Sequence, residues 1–260
     1  MGSATLLALG LAVALLGALL LVIELGRRIG TRAMAGDPVG AQAGAGVVDA
    51  AVFGLLGLLV AFTFSGAATR FDVRRQLVVE EANAIGTAYL RLDVLPAAAQ
   101  PALRARFREY LESRLAAYRA MPDMAAVEAE LARTTRLQEE IWRRAVAACG
   151  EPGVAPSTST LVLPALNAMI DIVTTRTVAA QTHQPVVIFA MLFALMLVGA
   201  LLVGYGMSGV PSRNWFHMIG FALAVTVVMY VILDLEFPRV GLIRLDRFDR
   251  LLEELRPTMK

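Results

Sequence analysis

Residue types that catalyse reactions or bind metals are scarce in this chain. It has two His, His183 and His217, and one Cys, Cys149. These numbers exclude a zinc site built from Cys and His, and they exclude an internal disulfide. No P-loop, GxGxxG or HExxH motif occurs, and neither His has a catalytic partner close to it in the sequence. We therefore expect neither an enzyme nor a cofactor or metal site.

Apolar and hydroxyl side chains share one face of a predicted helix in the first third of the chain. They lie at positions i, i+4, i+7 and i+11 and are Leu58, Phe62, Ser65 and Thr69. An apolar constriction with a polar mouth can gate ions by dewetting, so this face is a candidate pore neck. The alternative is that Gly54 and Gly57 pack this helix against another one and that the Phe side chains face lipid.

A polar stripe follows on the same predicted helix. Its members are Glu80, Asn83, Thr87 and Arg91, and three arginines, Arg70, Arg74 and Arg75, precede it. Such residues would line an aqueous vestibule, and arginines pooled from several subunits would concentrate anions there. The alternative is ordinary ion pairing of these arginines with nearby acids, for which the candidates are Asp72, Glu80, Glu81 and Asp171.

Two carboxylates, Asp234 and Glu236, close the last apolar run of the chain. Ionisable groups at membrane depth are functional candidates by default. Together with Asp246 and Asp249 they offer oxygen ligands for a hard cation such as Ca²⁺, but their spacing does not match an EF-hand loop. A structural role is the favoured interpretation, in which the two acids pair with arginines from Arg239, Arg244 and Arg247.

The composition places these groups in a membrane protein. Of the 260 residues, 57% are hydrophobic and 18% are charged, whereas soluble domains have roughly 45–50% apolar and about 25% charged residues. Four charge-free runs are long enough to cross a hydrocarbon core of about 30 Å, and they are residues 4–23, 50–69, 184–212 and 214–233. The sequence therefore predicts an all-α integral membrane protein with four transmembrane helices. With a net charge of +2 and Lys260 as its single Lys, no nucleic-acid partner is expected.

The segment between the second and third runs is polar and has helical periodicity. No Pro occurs from residue 50 until Pro96, so the second span is predicted to continue as one helix of about 46 residues, roughly 69 Å long. Such a helix is longer than a bilayer is thick. We therefore expect spans one and two within 1–69, a helical extramembrane insert at 70–183, spans three and four within 184–235, and an amphipathic tail at 236–260.

Arginines near the ends of the spans indicate the orientation. Eight lie on the side of the insert and the C-terminus, and four lie on the other side. The positive-inside rule then places the insert and both termini in the cytoplasm. The first span taken alone favours the opposite orientation, because Arg27 and Arg28 follow it and only the terminal amine precedes it.

Three long segments are similar to those of a known family. They are AFTFSGAATRFDVRRQLVVEEANAIGTAYLRLDVLP (61–96), LPALNAMIDIVTTR (163–176) and ILDLEFPRVGLIRLDRFDRLLEEL (232–255). Over nearly its whole length the chain resembles the bacterial bestrophin-like family of otherwise unknown function. That family is named for a distant likeness to bestrophins, pentameric anion channels with four spans, cytosolic termini and a second span that lines the pore neck.

The turn after the fourth span is also similar to the bestrophin pattern, in which an acidic residue stands next to a Pro. Here Asp234, Glu236 and Pro238 occupy it, with Phe237 before the Pro and Arg239 after it, where bestrophins tend to have Phe-Gly. The chain lacks the dense run of acids that forms the calcium clasp of animal bestrophins. We therefore do not expect calcium gating by such a clasp.

The resemblance implies an anion-conducting, pentameric channel in the inner membrane of a bacterium, with lipid and inorganic ions as partners. A homo-oligomer is also expected because a 46-residue helix rich in Gly and Phe cannot satisfy all its faces within one subunit. The charges at the mouth leave the sign of the ion open, since three arginines stand against three acids: Arg70, Arg74 and Arg75 against Asp72, Glu80 and Glu81. The alternative function is a non-conducting membrane scaffold or sensor whose helical insert binds a partner.

Overall fold

The computed structural model describes residues 3–42, 45–121, 123–209, 213–238, 241–243 and 246–259, and the regular structure within these ranges is helical, with no β-strand. The helices are α1 (Ser3–Gly36), α2 (Pro38–Gln42), α3 (Ala45–Leu90), α4 (Gln100–Ala120), α5 (Met124–Cys149), α6 (Pro156–Gln181), α7 (Val186–Gly206), α8 (Trp215–Glu236) and α9 (Asp246–Glu253). Two 3-10 helices are found at Arg91–Val94 and Arg256–Thr258.

Four helical segments are long and apolar enough to cross a membrane. They are Thr5–Gly36, Gly46–Val94, Pro156–Gly206 and Trp215–Glu236. Each overlaps one of the four charge-free runs of the sequence, because an uninterrupted apolar run of about 20 residues favours a helix that satisfies every backbone group internally. The chain is an all-α membrane protein with four transmembrane helices, as its sequence predicts.

The longest helix, α3, has 46 residues and ends at Leu90. The 3-10 helix Arg91–Val94 follows, and Leu95 then adopts an extended conformation. Proline disfavours the helical conformation of the residue before it, so Pro96 explains why the helix cannot continue. The helix predicted to run unbroken to Pro96 is thus an α-helix to Leu90 with a 3-10 turn beyond it.

The chain divides into two compact units. The first contains Met1–Phe71 and His183–Ile243, and the second contains Asp72–Thr182 and Arg244–Lys260. The helix α3 contributes its first part to the first unit and its last part to the second.

In the first unit, α1 packs closely against α7 through two glycines. A Cβ atom on Gly26 would lie 2.0 Å from the carbonyl oxygen of Leu201, and one on Gly204 would lie 1.9 Å from that of Ile23. Both distances are far below van der Waals contact, so only glycine fits at these two positions. Small residues allow transmembrane helices to approach until their backbones touch.

The second unit is a helical assembly built on the hairpin of α4 and α5. Its core contains Ile85 of α3, Phe107 and Tyr110 of α4, Ile141 of α5 and Leu166 of α6, all completely buried. The side chain of Asp123 caps α5 by accepting a hydrogen bond from the Ala126 N–H, 3.2 Å away, and Pro101 lies in the first turn of α4, where a missing N–H costs nothing.

Candidate functional site

The residues predicted to form a pore neck lie on a face of α3 that the described chain leaves uncovered. All four are exposed: Leu58, Phe62, Ser65 and Thr69. Phe62 is exposed over 66% of its surface, whereas Leu56, Thr63 and Ala67 on the other side of the helix are buried in the first unit. In a membrane protein such a face meets either lipid or another chain, so it is available for assembly.

The hydroxyl of Thr69, on the polar half of this face, is bonded within the helix. The Thr69 hydroxyl donates a hydrogen bond of 2.9 Å to the Ser65 carbonyl oxygen. This back-bonding is the usual way in which a hydroxyl side chain is accommodated within a helix. The hydroxyl oxygen of Thr69 therefore remains available as an acceptor.

Arg70, a candidate vestibule residue whose alternative role was ion pairing, forms an ion pair at the end of α8. Its Nη2 lies 2.7 Å from Oε2 of Glu236, and its Nε contacts both carboxylate oxygens at 3.2 and 3.0 Å. The completely buried Glu236 also accepts a hydrogen bond from the Gln184 backbone N–H at 3.0 Å and lies 3.2 Å from the His183 ring. The Arg70 charge is therefore matched within the first unit.

The same contacts give Glu236 a partner that the sequence did not suggest. Its expected arginines were Arg239, Arg244 and Arg247; the first two lie outside the described residues, and so does the side chain of the third. The His183 ring stacks on Phe237 with centroids 4.7 Å apart. Glu236 thus joins the end of α8 to α3 and to the start of the third span.

In the second unit, Arg74 and Arg75 have different environments. Arg74 is buried, and its guanidinium donates to the carbonyl oxygens of Ala179 and Thr182 at 3.0 and 2.9 Å. It thereby supplies a positive charge to the C-terminal end of α6, where the helix dipole favours one. Arg75 is exposed and forms a 3.1 Å ion pair with exposed Asp72.

The predicted vestibule stripe of α3 is largely exposed. Glu80, Asn83 and Thr87 are exposed, and the Gln76 side chain donates a 2.9 Å hydrogen bond to Glu80. Arg91 is half-buried and donates a 2.6 Å hydrogen bond to the Leu161 carbonyl oxygen. Three members of the stripe therefore face solvent or another chain, and the fourth ties the 3-10 helix to α6.

Glu81 is removed from the surface altogether and forms a buried cluster with two arginines. Its Oε1 accepts a 2.6 Å hydrogen bond from Nε of Arg114, and its Oε2 accepts one from Arg176 and one of 2.7 Å from the Tyr118 hydroxyl. The Arg176 guanidinium lies over the Tyr118 ring, 4.2 Å from its centroid. The cluster connects α3, α4 and α6, and none of the three partners is close to Glu81 in the sequence.

Burial and the neighbouring groups together set the pKa values of the side chains in this cluster. Burial, together with the Glu81 carboxylate, raises the pKa of Tyr118 above its ordinary value, so the phenol stays protonated and donates. Burial opposes the charged form of Arg114, but the neighbouring Tyr118 and Glu81 outweigh this penalty and raise the pKa of the guanidinium. The group therefore consists of one anion, two cations and a neutral donor.

The remaining predicted carboxylate, Asp234, closes the turn after α8. Its Oδ2 accepts hydrogen bonds from the backbone N–H groups of Leu242 and Ile243, both 2.9 Å. Among the residues that the structure describes, no three His, Cys, Asp or Glu side chains are grouped as metal ligands. Asp234 thus stabilises the turn after α8 by accepting hydrogen bonds from its backbone N–H groups.

Comparison with known proteins identifies the family. The model of the bestrophin-like domain matches residues 10–247, which is most of the chain. This chain belongs to the bestrophin-like family. The resemblance noted in the three sequence segments is confirmed, whereas no curated individual protein is significantly similar to the chain.

Solved structures of a bacterial bestrophin homolog from Klebsiella pneumoniae have the same fold as this bestrophin-like chain. One, with a leucine-to-threonine substitution, gives a TM-score of 0.70 at 17% identity and covers 94% of this chain and 98% of its own. Another, with a tyrosine-to-alanine substitution, gives 0.69 at 17% identity and covers 93% and 97%. The fold is therefore shared over more than nine tenths of each chain.

Proposed function

We propose that this bestrophin-like protein is an oligomeric ion channel whose conducting path is lined by α3. The single observation that carries the proposal is the uncovered face of this helix. It begins with Leu58 and Phe62 and continues with Ser65 and Thr69, so an apolar constriction leads into hydroxyl groups. Narrow apolar rings with a polar mouth control ion passage by dewetting.

The proposal requires several copies of the chain. One helix cannot enclose a path, but identical faces arranged around an axis can, and closed cyclic symmetry is the rule for homo-oligomers. The family resemblance supports five subunits. It also supports a bacterial inner-membrane location with the insert and both termini in the cytoplasm, in agreement with the larger number of arginines on that side.

Two arguments bear on whether the conducted ion is an anion or a cation, and they give different answers. The family resemblance favours anions, and anion conduction is our first proposal. Cation conduction is the second candidate, because the exposed charges of α3 in the second unit are Asp72 and Glu80 against Arg75. Of the other charges that balanced the count in the sequence, Arg70 and Glu81 are held in ion pairs, and Arg74 is buried against the carbonyl oxygens of Ala179 and Thr182.

Reversal potentials in liposomes test conduction and ion sign together. We expect wild-type protein in a KCl gradient to give a current that reverses toward the chloride equilibrium potential; reversal toward that of potassium would select the cation candidate. Intact oligomers without any flux would favour a non-conducting scaffold whose insert binds a partner.

Phe62→Ala tests the neck. Removing the phenyl group widens the apolar constriction and lowers the free-energy barrier that dewetting imposes on ions. We therefore expect a larger current than in wild type. Phe64→Ala is the matched control, since Phe64 is also exposed but lies two residues away, about 200° around the helix. Equal currents in the two variants would remove Phe62 from the constriction.

Membrane-impermeant maleimide labelling tests the orientation. In a Cys149→Ala background, exposed Glu151→Cys is expected to react only from the cytoplasmic face and exposed Val39→Cys only from the opposite face. The reverse pattern would invert the proposed orientation.

A further inference from the structure

Within the first unit, a pocket lies between α1 and α8. Its volume is about 240 Å³, and its walls are mostly apolar, formed on the α1 side by Leu7, Ala8, Leu11, Ala12 and Leu15. At the rim, Leu7 and Leu11 are exposed over 64% and 61% of their surfaces. Since both helices are transmembrane, this rim meets either lipid or another chain.

Among the residues that the structure describes, three polar atoms that line this pocket have no hydrogen-bond partner. They are Oγ1 of Thr226, the hydroxyl of Tyr230 and Oδ1 of Asp234, and all three atoms are buried. Their residues are spaced four apart on one face of α8, so they span about 12 Å along the helix. Buried polar atoms in folded proteins are nearly always paired, so three of them in a single pocket mark it as a candidate site for a polar ligand.

Asp234 defines the chemistry at the polar end. Its Oδ2 is occupied by the backbone N–H groups of Leu242 and Ile243, whereas its Oδ1 points to the backbone of Gly241, where an added Cβ would lie 1.8 Å away. A carboxylate oxygen only accepts, so the ligand must bring a donor. An ammonium group brings N–H donors and the opposite charge, which makes the strongest such bond.

We propose that this pocket binds one aminophospholipid of the bilayer. The ammonium group pairs with Oδ1 of Asp234 at the end of α8, the Tyr230 and Thr226 hydroxyls donate to phosphate or ester oxygens along the next 12 Å, and an acyl chain lies against Leu11 and Leu15 of α1. The volume is smaller than that of a pocket that encloses a whole drug-sized ligand, which fits a lipid seated with its tail still in the membrane. The site does not depend on conduction.

The test is native mass spectrometry of the purified oligomer with added phosphatidylethanolamine or phosphatidylcholine. The two lipids differ in that the choline nitrogen carries three methyl groups and no N–H. We expect wild-type protein to bind the ethanolamine lipid roughly tenfold more tightly, as a charge-assisted hydrogen bond predicts.

Two variants locate the site. Asp234→Asn can still accept from Leu242 and Ile243 through its amide oxygen but presents an amide in place of Oδ1, so the preference should be lost without unfolding the turn. Ala12→Phe fills the pocket and should abolish tight binding, while Ala14→Phe is its matched control because exposed Ala14 is on the same helix but does not line the pocket.

Each result decides the proposal. Selective binding that both Asp234→Asn and Ala12→Phe remove, and that Ala14→Phe retains, supports it. Equal binding of the two lipids, unchanged selectivity in Asp234→Asn, or equal losses in Ala12→Phe and Ala14→Phe overturns it. A wild-type oligomer that retains no lipid, with Leu7→Cys cross-linking to a neighbouring copy, also overturns it, because the pocket would then be covered by protein.

Discussion

Among the side chains that the structure describes, each unit has one completely buried glutamate, and the arginines that pair with the two glutamates differ in their exposure. Glu81 in the second unit meets Arg114 and Arg176, which are 1% and 9% exposed, whereas Glu236 in the first unit meets Arg70, which is 24% exposed. A buried charge that loses a buried partner cannot be resolvated, while a partner at the surface can turn to water. Breaking the Glu81 cluster should therefore lower the free energy of unfolding of the second unit more than breaking the Glu236 pair lowers that of the first.

The two tryptophans of the chain allow each unit to be followed separately. Trp142 is packed against the core of the second unit, and Trp215 begins α8 in the first. Thermal unfolding by tryptophan fluorescence in a Trp215→Phe background therefore reports the second unit, and a Trp142→Phe background reports the first.

The largest effect is expected from Glu81→Gln. Two arginine charges then remain buried without their carboxylate, so the free energy of unfolding of the second unit should fall by about 3–5 kcal/mol. The readout is Trp142 fluorescence. The control, Glu80→Gln, alters the adjacent exposed carboxylate and should change stability by less than about 0.5 kcal/mol; similar losses in both variants would contradict the structural role of the cluster.

Glu236→Gln should cost less, about 1–3 kcal/mol in the first unit. The glutamine oxygen can still accept from Arg70 and from the Gln184 N–H, and the Arg70 side chain can reach water. Trp215 fluorescence measures this change. The comparison between the two carboxylates breaks down if Glu236→Gln destabilises the first unit as strongly as Glu81→Gln destabilises the second.

Tyr118→Phe sharpens the comparison within the second unit. It removes one donor to Glu81 and leaves both arginines and the aromatic ring in place, so we expect a loss of about 1–2 kcal/mol. The Trp142 signal again reports it. Combining it with Glu81→Gln should give less than the sum of the two losses, because both variants break one network; simple additivity would show that the hydroxyl acts elsewhere.

The smallest effect concerns the thiol at the end of α5. Burial raises the pKa of the Cys149 thiol, and only the thiolate reacts with iodoacetamide. The alkylation rate of the folded protein should therefore rise at higher pH than that of the urea-unfolded protein. In Glu81→Gln, where the second unit is loosened, the pH profile should move back toward the unfolded one; an unchanged profile would show that the region around Cys149 does not depend on the cluster.

Local patterns in the sequence account for the helices. Charge-free runs predict the spans, and the distance from residue 50 to Pro96 predicts the long helix, because hydropathy and proline act on the residues where they occur. The candidate neck and vestibule residues remain predictions, since the uncovered face of α3 shows only that they are available.

Pairs between distant segments were not predicted. Arg70 and Glu236 are 166 residues apart, and Arg176 lies 95 residues beyond Glu81, whereas the pair of Arg75 with nearby Asp72 is one that the sequence offered. One signal was present for Glu81: it lies on the same helical face as Leu77, Val78 and Ile85, all buried. An acid on an apolar face of a helix indicates a buried ion pair, whereas its partners follow only from the three-dimensional fold.

The glycine contacts between α1 and α7 also limit when these two helices can pack together during synthesis of the chain. Gly26 and Gly204 meet the backbone of the opposite helix, yet about 180 residues separate them in the chain. At roughly 5–20 residues per second the ribosome needs about 10–35 s to make the second helix after the first. Until α7 is made, the face of α1 that carries Gly26 lacks the backbone it packs against in the fold, so these two helices can dock only after most of the chain has been synthesised.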